Sequence, residues 1–144
     1  TWPVENFREL IRSLLAENDA ELLLLSPPAG PDSAARALAA EFPELHHEPD
    51  SAIATLLPLL ASCERIIAND GTLPHLAAHL GTPPLTLFGP NEPAWKRPLG
   101  TIHQSLREHV PCSPCFLPKC PLDHRCLQAI TPAQVLAALS PTAS

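Results

Sequence analysis

The sequence predicts an α/β domain, a Rossmann-like parallel sheet with helices on both faces. Three observations carry that expectation. Short apolar runs alternate with helical patterns along most of the chain. The runs are near-continuous, as strands buried on both faces require. Polar, flexible residues stand where two runs end, at Asn69-Asp70-Gly71-Thr72 and Gly89-Pro90-Asn91-Glu92. Sheets of this kind bind ligands beyond the carboxyl ends of their strands.

The elements follow in order. Residues 4–17 place Val4, Phe7, Leu10, Ile11, Leu14 and Leu15 on one helical face, with Pro3 fit for the first turn. "AELLLLS" reads as a buried strand. "PDSAARALAAEF" reads as an alanine-rich helix starting near Asp32, with Asp32 or Ser33 available as its cap. "ELHHE" is a short strand, and "DSAIATLLPLLASC" a helix bent or interrupted at Pro58. "ERIIAN" is a strand, "LPHLAAHLG" a helix closed by Gly81, and "PPLTLFG" a strand. A Cys/Pro-rich loop, 111–127, precedes a last helix over 131–139, with Thr131 as cap and Pro132 at its first position. Such domains usually open with a strand, whereas this chain opens in a helix. The expectation is one domain, 1–144, belonging to a longer protein.

Composition excludes several functions. With 45% hydrophobic and 17% charged residues over 144 positions, the chain is globular and not disordered. A net charge of −6 with nine Lys and Arg offers no basic stripe, so no nucleic-acid partner is expected. The longest apolar run, Leu22-Leu23-Leu24-Leu25, is far too short to span a membrane. No basic start leads into an apolar signal core, which points to the cytoplasm.

"NDGTLPHL" holds the parts of an anion site. A helix N-terminus presents unpaired N–H groups and about half a positive charge. Gly71 permits a tight turn and close approach, Thr72 adds an amide and a hydroxyl, and His75 lies in the first turn. Asp70 would repel phosphate, so it either caps the helix or accepts hydrogen bonds from sugar hydroxyls. Plain capping by Asp70 and Thr72, with His75 on the surface, is the competing reading. No Gly-x-Gly-x-x-Gly is present, so the dinucleotide fingerprint is missing.

The block "ANDGTLPHLAAHLGTPPLTLFGPNEPAWKRPLG" resembles the donor-binding segment of the heptosyltransferases, glycosyltransferase family 9, which extend lipopolysaccharide cores with heptose from ADP-heptose. The family pattern is an Asp-Thr-Gly turn, two variable residues, His and an alanine-rich helix, then a strand ending in Gly-Pro-Thr-Asp-Pro or similar. "WPVENFRELI" and "ITPAQVLAAL" resemble the flanks of that family's C-terminal half. One departure is plain: Asp70-Gly71-Thr72 stands where the family has Asp-Thr-Gly, so Thr72 takes the position of a glycine and would narrow a phosphate cradle.

The resemblance implies the C-terminal half of a GT-B enzyme. This half would grip ADP-heptose through Asp70, Gly71, Thr72, Leu73 and His75. An absent N-terminal domain would hold the lipopolysaccharide acceptor and the catalytic base, and a phosphate-binding Lys would lie just ahead of Trp2. Transfer would invert the anomeric centre and need no cofactor. The work would be done at the cytoplasmic face of the inner membrane, with at most peripheral contact. The resemblance also aligns Asp32 with an acidic residue that reaches the nucleotide ribose, although a plain cap explains Asp32 as well. Asn91, Glu92 and Trp95 either line the cleft or face the missing domain, and Trp95 beside Lys96 and Arg97 alternatively forms a patch for anionic lipid.

Cys112, Cys115, Cys120 and Cys126 are spaced C-x2-C-x4-C-x5-C, and a similar cysteine-rich loop occurs in a subset of the family. Four thiolates could close on a structural zinc or iron; disulfides or free thiols are the alternatives. Cys63 reads as an inert core residue. Two rival functions stay open: a GT-B transferase using another nucleotide-sugar, and a non-catalytic interaction module stapled by a metal at the cysteines.

Overall fold

A computed structural model describes residues 1–17, 21–26, 33–49 and 52–140. Helix α1 (Val4–Ala16) leads into strand β1 (Leu23–Ser26), followed by α2 (Ala34–Glu41) and β2 (His46–Pro49). Then come α3 (Ile53–Ser62), β3 (Ile66–Asn69), α4 (Thr72–His79), β4 (Pro84–Phe88) and a single helical turn, α5 (Pro93–Lys96). Strand β5 (Gln104–Arg107), a second single turn α6 (Arg125–Gln128) and α7 (Pro132–Leu139) complete the order.

Among the described residues all strand pairings are parallel, in two sheets. β1 pairs with β2, Leu23 opposite His46. β4 lies between β3 and β5, with Ile66 opposite Pro84 and Leu85 opposite Gln104. Every residue of β4 is buried. Since successive side chains point to opposite faces, that burial requires cover on both faces of the strand. Pro84 fits because it is the first residue of the strand. α4 packs against β3 and β4, α3 against α4, α2 against β1 and β2, and α1 against α7.

Two apolar clusters hold these layers. The larger joins Trp2, Leu10, Leu85, Leu87, Cys126, Leu127, Ile130 and Val135; the smaller joins Ile11, Leu38 and Phe42. Each large side chain removed from water contributes about 1.5–3 kcal/mol. Trp2 is the keystone of the first cluster. Its indole N–H donates to the Ile130 carbonyl at 2.8 Å, its ring meets Phe7 edge-on at 4.8 Å, and its amide donates to Asn69 Oδ1 at 2.8 Å. The start of the chain is thereby pinned beside the end of β3. On the surface Glu41 receives Arg8 and Arg12 and so ties α2 to α1.

Helix boundaries follow cap chemistry. Ser33 is the N-cap of α2 and accepts from the Arg36 amide. Thr131 caps α7 in a capping box, its hydroxyl facing the Gln134 amide while Gln134 returns a bond to the Thr131 amide. Pro58 does not interrupt α3, which runs through it. Pro3 is the N-cap of α1 and not its first helical residue. Strand β5 and the turns α5 and α6 have no counterpart in the sequence reading. "QSLR" is too polar to signal a strand, and four-residue helices carry no periodicity.

Candidate functional site

The carboxyl ends of β3 and β4 open onto a cleft of about 480 Å³, lined by Asp70, Gly71, Thr72, His75, Asn91 and Lys96. β3 stops at Asn69, and the chain passes through Asp70 and Gly71 into α4. Gly71 is the N-cap, so the amides of Gly71, Thr72 and Leu73 lack acceptors within the helix, while Pro74 has no N–H to satisfy. The positive end of the α4 dipole therefore sits at the cleft wall. Four of the residues expected at a binding site, Asp70, Gly71, Thr72 and His75, are brought together here.

The facing wall is the loop after β4. Asn91 Nδ2 donates to Asp70 Oδ2 at 2.5 Å, linking the ends of β3 and β4 directly. Glu92 accepts from Arg107 Nη1 at 2.5 Å, linking the same loop to the end of β5. That pair is mostly shielded, with the Arg107 side chain 10% and the Glu92 side chain 29% exposed. The Glu92 carbonyl then accepts from the amides of Trp95 and Lys96, forming the turn α5. Three strand ends are thus interlocked, and the turn carrying Lys96 is mounted on them.

Several expectations need correction. Asp70 does not cap α4, whose N-cap has no side-chain hydrogen bond; its carboxylate is engaged by Asn91 instead. Gly71 has φ 164°, extended backbone that any residue adopts, and a Cβ there would meet only the Asn69 carbonyl at 3.9 Å. Its value is the open space it leaves, not a special turn. Thr72 is an ordinary first helical residue and does not take left-handed geometry, so the Gly71-Thr72 exchange imposes no backbone strain. The Leu73 side chain is half-buried on α4, and what the residue offers the cleft is its amide in the first helical turn. Asp32 lies outside the described residues. Glu92 is committed to Arg107, and Trp95, 76% exposed, stacks on Phe116 at 5.5 Å. Lys96 was missed as a cleft residue. The available signal was its place a few residues beyond a strand end.

The cysteine loop forms a second cavity of about 140 Å³, lined by Cys112, Cys115, Cys120 and Cys126 together with His124, Arg125 and apolar side chains. All are free thiols. Among the described residues no group of three or more His, Cys, Asp or Glu side chains is placed to hold a metal ion, so the expected zinc or iron site finds no support. Cys126 is buried in the main core on α6, and burial pushes its thiol up. The Arg125 guanidinium also lines the cavity and is paired with Asp123. The loop is held by other means. Ser113 Oγ donates to the Gly89 carbonyl at 2.7 Å, and the amides of Cys115 and Phe116 donate to the Pro90 carbonyl at 3.0 and 2.9 Å. Cys63 ends α3 half-buried, its thiol at 3.2 Å from the Leu59 carbonyl and pushed up by burial, as an inert residue should be.

No described helix is long and apolar enough to cross a membrane. Residues 1–125 match the model of glycosyltransferase family 9 (heptosyltransferase). Lipopolysaccharide heptosyltransferase 1 of Pseudomonas aeruginosa is 32% identical over 119 residues, 83% of this chain and 33% of that protein. The Escherichia coli K12 protein of the same name is 32% identical over 92 residues, 64% of this chain and 28% of its own length. The chain therefore spans about a third of the length of these relatives. Among solved structures, E. coli ADP-heptose LPS heptosyltransferase II gives a TM-score of 0.78 at 26% identity, covering 96% of this chain and 40% of that one. E. coli heptosyltransferase WaaC with ADP gives 0.73 at 26% identity, over 95% and 38%. With parallel sheets, interlocked strand-end loops and a family match over most of its length, this chain belongs to glycosyltransferase family 9, the heptosyltransferases.

Proposed function

We propose that this chain is the nucleotide-sugar-binding domain of an inverting glycosyltransferase that moves heptose from ADP-heptose to the lipopolysaccharide core. The observation that carries it is the cleft at the ends of β3 and β4, where Asp70, Gly71, Thr72 and His75 meet beside the N-terminus of α4. Displacement of ADP leaves growing negative charge on the diphosphate. Free amides at Gly71, Thr72 and Leu73, with His75, supply fixed donors for that charge without reorganisation. Asp70, held by Asn91, is suited to accept hydrogen bonds from donor hydroxyls and not to touch phosphate.

The base and the acceptor site lie outside residues 1–144, so this domain alone binds the donor weakly and catalyses nothing. No cofactor is required. The enzyme works at the cytoplasmic face of the inner membrane, and the exposed Trp95 with Arg97 alongside gives a surface for peripheral contact.

A 15N NMR titration of the chain with ADP, with UDP as control, tests the reading. Saturable shifts at the amides of Gly71, Thr72, Leu73 and His75 with ADP, and not with UDP, are expected. Equal shifts with both would replace ADP-heptose by a donor of unspecified base. Silence there at millimolar ADP would remove the donor site.

A further inference from the structure

We infer that Lys96 binds the diphosphate of the nucleotide-sugar, which rests on the donor reading above and gives that site a cation from the loop after β4. Among the described residues lining the cleft, Lys96 is the one permanently charged cation, and Asp70 contributes a negative charge. A nucleoside diphosphate entering this cleft therefore meets a carboxylate, and a cation on the facing wall adds to the helix amides in offsetting that repulsion.

The neighbouring cations are already engaged. Arg107 is paired with Glu92, and Arg97 lies 3.5 Å from His103 Nε2. Among the described residues, the Lys96 ammonium has neither a carboxylate nor a hydrogen-bond partner.

Nor is Lys96 a loosely hung surface residue. Its amide donates to the Glu92 carbonyl at 3.1 Å, Glu92 is anchored by Arg107, and the preceding Asn91 is anchored by Asp70. The backbone that carries it is fixed from both sides of the cleft, while four rotatable bonds let the ammonium follow a phosphate. A compact, mobile point charge suits a leaving group whose charge rises as the glycosidic bond breaks.

The test compares the unaltered chain with Lys96→Ala and Lys96→Arg, titrated with ADP, AMP, adenosine and inorganic pyrophosphate. Lys96→Ala should weaken ADP and pyrophosphate about tenfold, the size of one charge-assisted contact in a partly wet site, and leave adenosine unchanged. It should also flatten the salt dependence of ADP binding, and Lys96→Arg should keep most of the affinity. Unchanged unfolding midpoints would confirm that an exposed side chain was altered without cost to the fold. Equal ADP affinity in Lys96→Ala and the unaltered chain would overturn the assignment. So would equal losses for ADP and adenosine, which would mark a structural role. If the unaltered chain binds neither ADP nor pyrophosphate, the donor reading itself fails and the assignment falls with it.

Discussion

Gly89 closes β4 and begins the loop that forms one wall of the cleft, and the substitution Gly89→Ala probes how tightly that wall is built. A Cβ added there would lie 2.7 Å from Leu127 Cγ and 3.1 Å from both of its methyl carbons. Leu127 is 5% exposed and packs among Trp2, Leu85, Leu87 and Ile130, so it has nowhere to retreat. Overpacking of this kind costs about 1–3 kcal/mol, and contact at 2.7 Å argues for the upper half of that range. Leu127→Ala alone should cost about 2–5 kcal/mol through lost transfer energy and the cavity left behind. The double variant is the informative one. The alanine methyl then occupies part of the space Leu127 vacated, so the two costs should fall short of their sum by at least about 1 kcal/mol. Urea unfolding of the four proteins, with a common m-value, measures this. Additive costs, or a Gly89→Ala penalty below about 0.5 kcal/mol, would show that β4 and α6 are not in the close contact described and that the loop is not held from below.

Other consequences can be checked alongside. Asn91→Ala frees the Asp70 carboxylate and should cost about 1–2 kcal/mol of stability, as for a half-buried hydrogen bond to a charged group, while weakening ADP severalfold in the same NMR titration. Thr131→Ala removes the capping box of α7 and should cost about 1 kcal/mol by urea unfolding, with Thr131→Ser close to unaltered. Burial raises the thiols of Cys63 and Cys126, so the unfolded chain loses these protons first and stability falls as pH climbs past the ordinary thiol value of about 8.5. That alkaline decline between pH 7.5 and 9.5 should be shallower in a Cys63→Ala, Cys126→Ala double variant, and an identical slope would refute the assignment. In iodoacetamide labelling, Cys126 should also react after Cys112, Cys115 and Cys120, since it alone of the four is buried.

The fold was legible wherever burial forces a pattern. β4 is an apolar run because every one of its residues is buried, β1 and β3 are half-buried runs that are still mostly apolar, and α4 and α7 announce themselves by Gly81 and by Thr131-Pro132. β5 was not legible. Gln104 and Ser105 are exposed at the free edge of the sheet, where nothing selects apolar side chains. The site was legible in part for a similar reason. Asp70, Gly71, Thr72 and His75 are close in sequence, so helix geometry alone gathers them. Asn91 and Lys96 join them only through the parallel pairing of β3 with β4 and the Glu92 turn, contacts between segments that spacing cannot report. Asp70 shows the limit well. Its position before a helix reads as a cap, and only the tertiary partner Asn91 reveals otherwise.

The cysteine loop acquires a different meaning from its placement. The cysteine spacing left metal, disulfides and free thiols all open, and this long irregular segment is held from within: by Ser113 on Gly89, by two amides on the Pro90 carbonyl, and by Cys126 and Leu127 buried in the core. Each of those bonds ends on the Gly89-Pro90 segment that delivers Asn91 to Asp70. Phe116, one of the residues bonded to Pro90, is held at φ 55°, a left-handed conformation that costs a bulky residue of order 1–3 kcal/mol. Surrounding contacts must outweigh that cost, and the stacked Trp95 on α5 is among them. Trp95 adjoins Lys96. The loop thus buttresses the cleft wall at both Asn91 and Lys96, which ties the order of residues 111–127 to the geometry of the cleft.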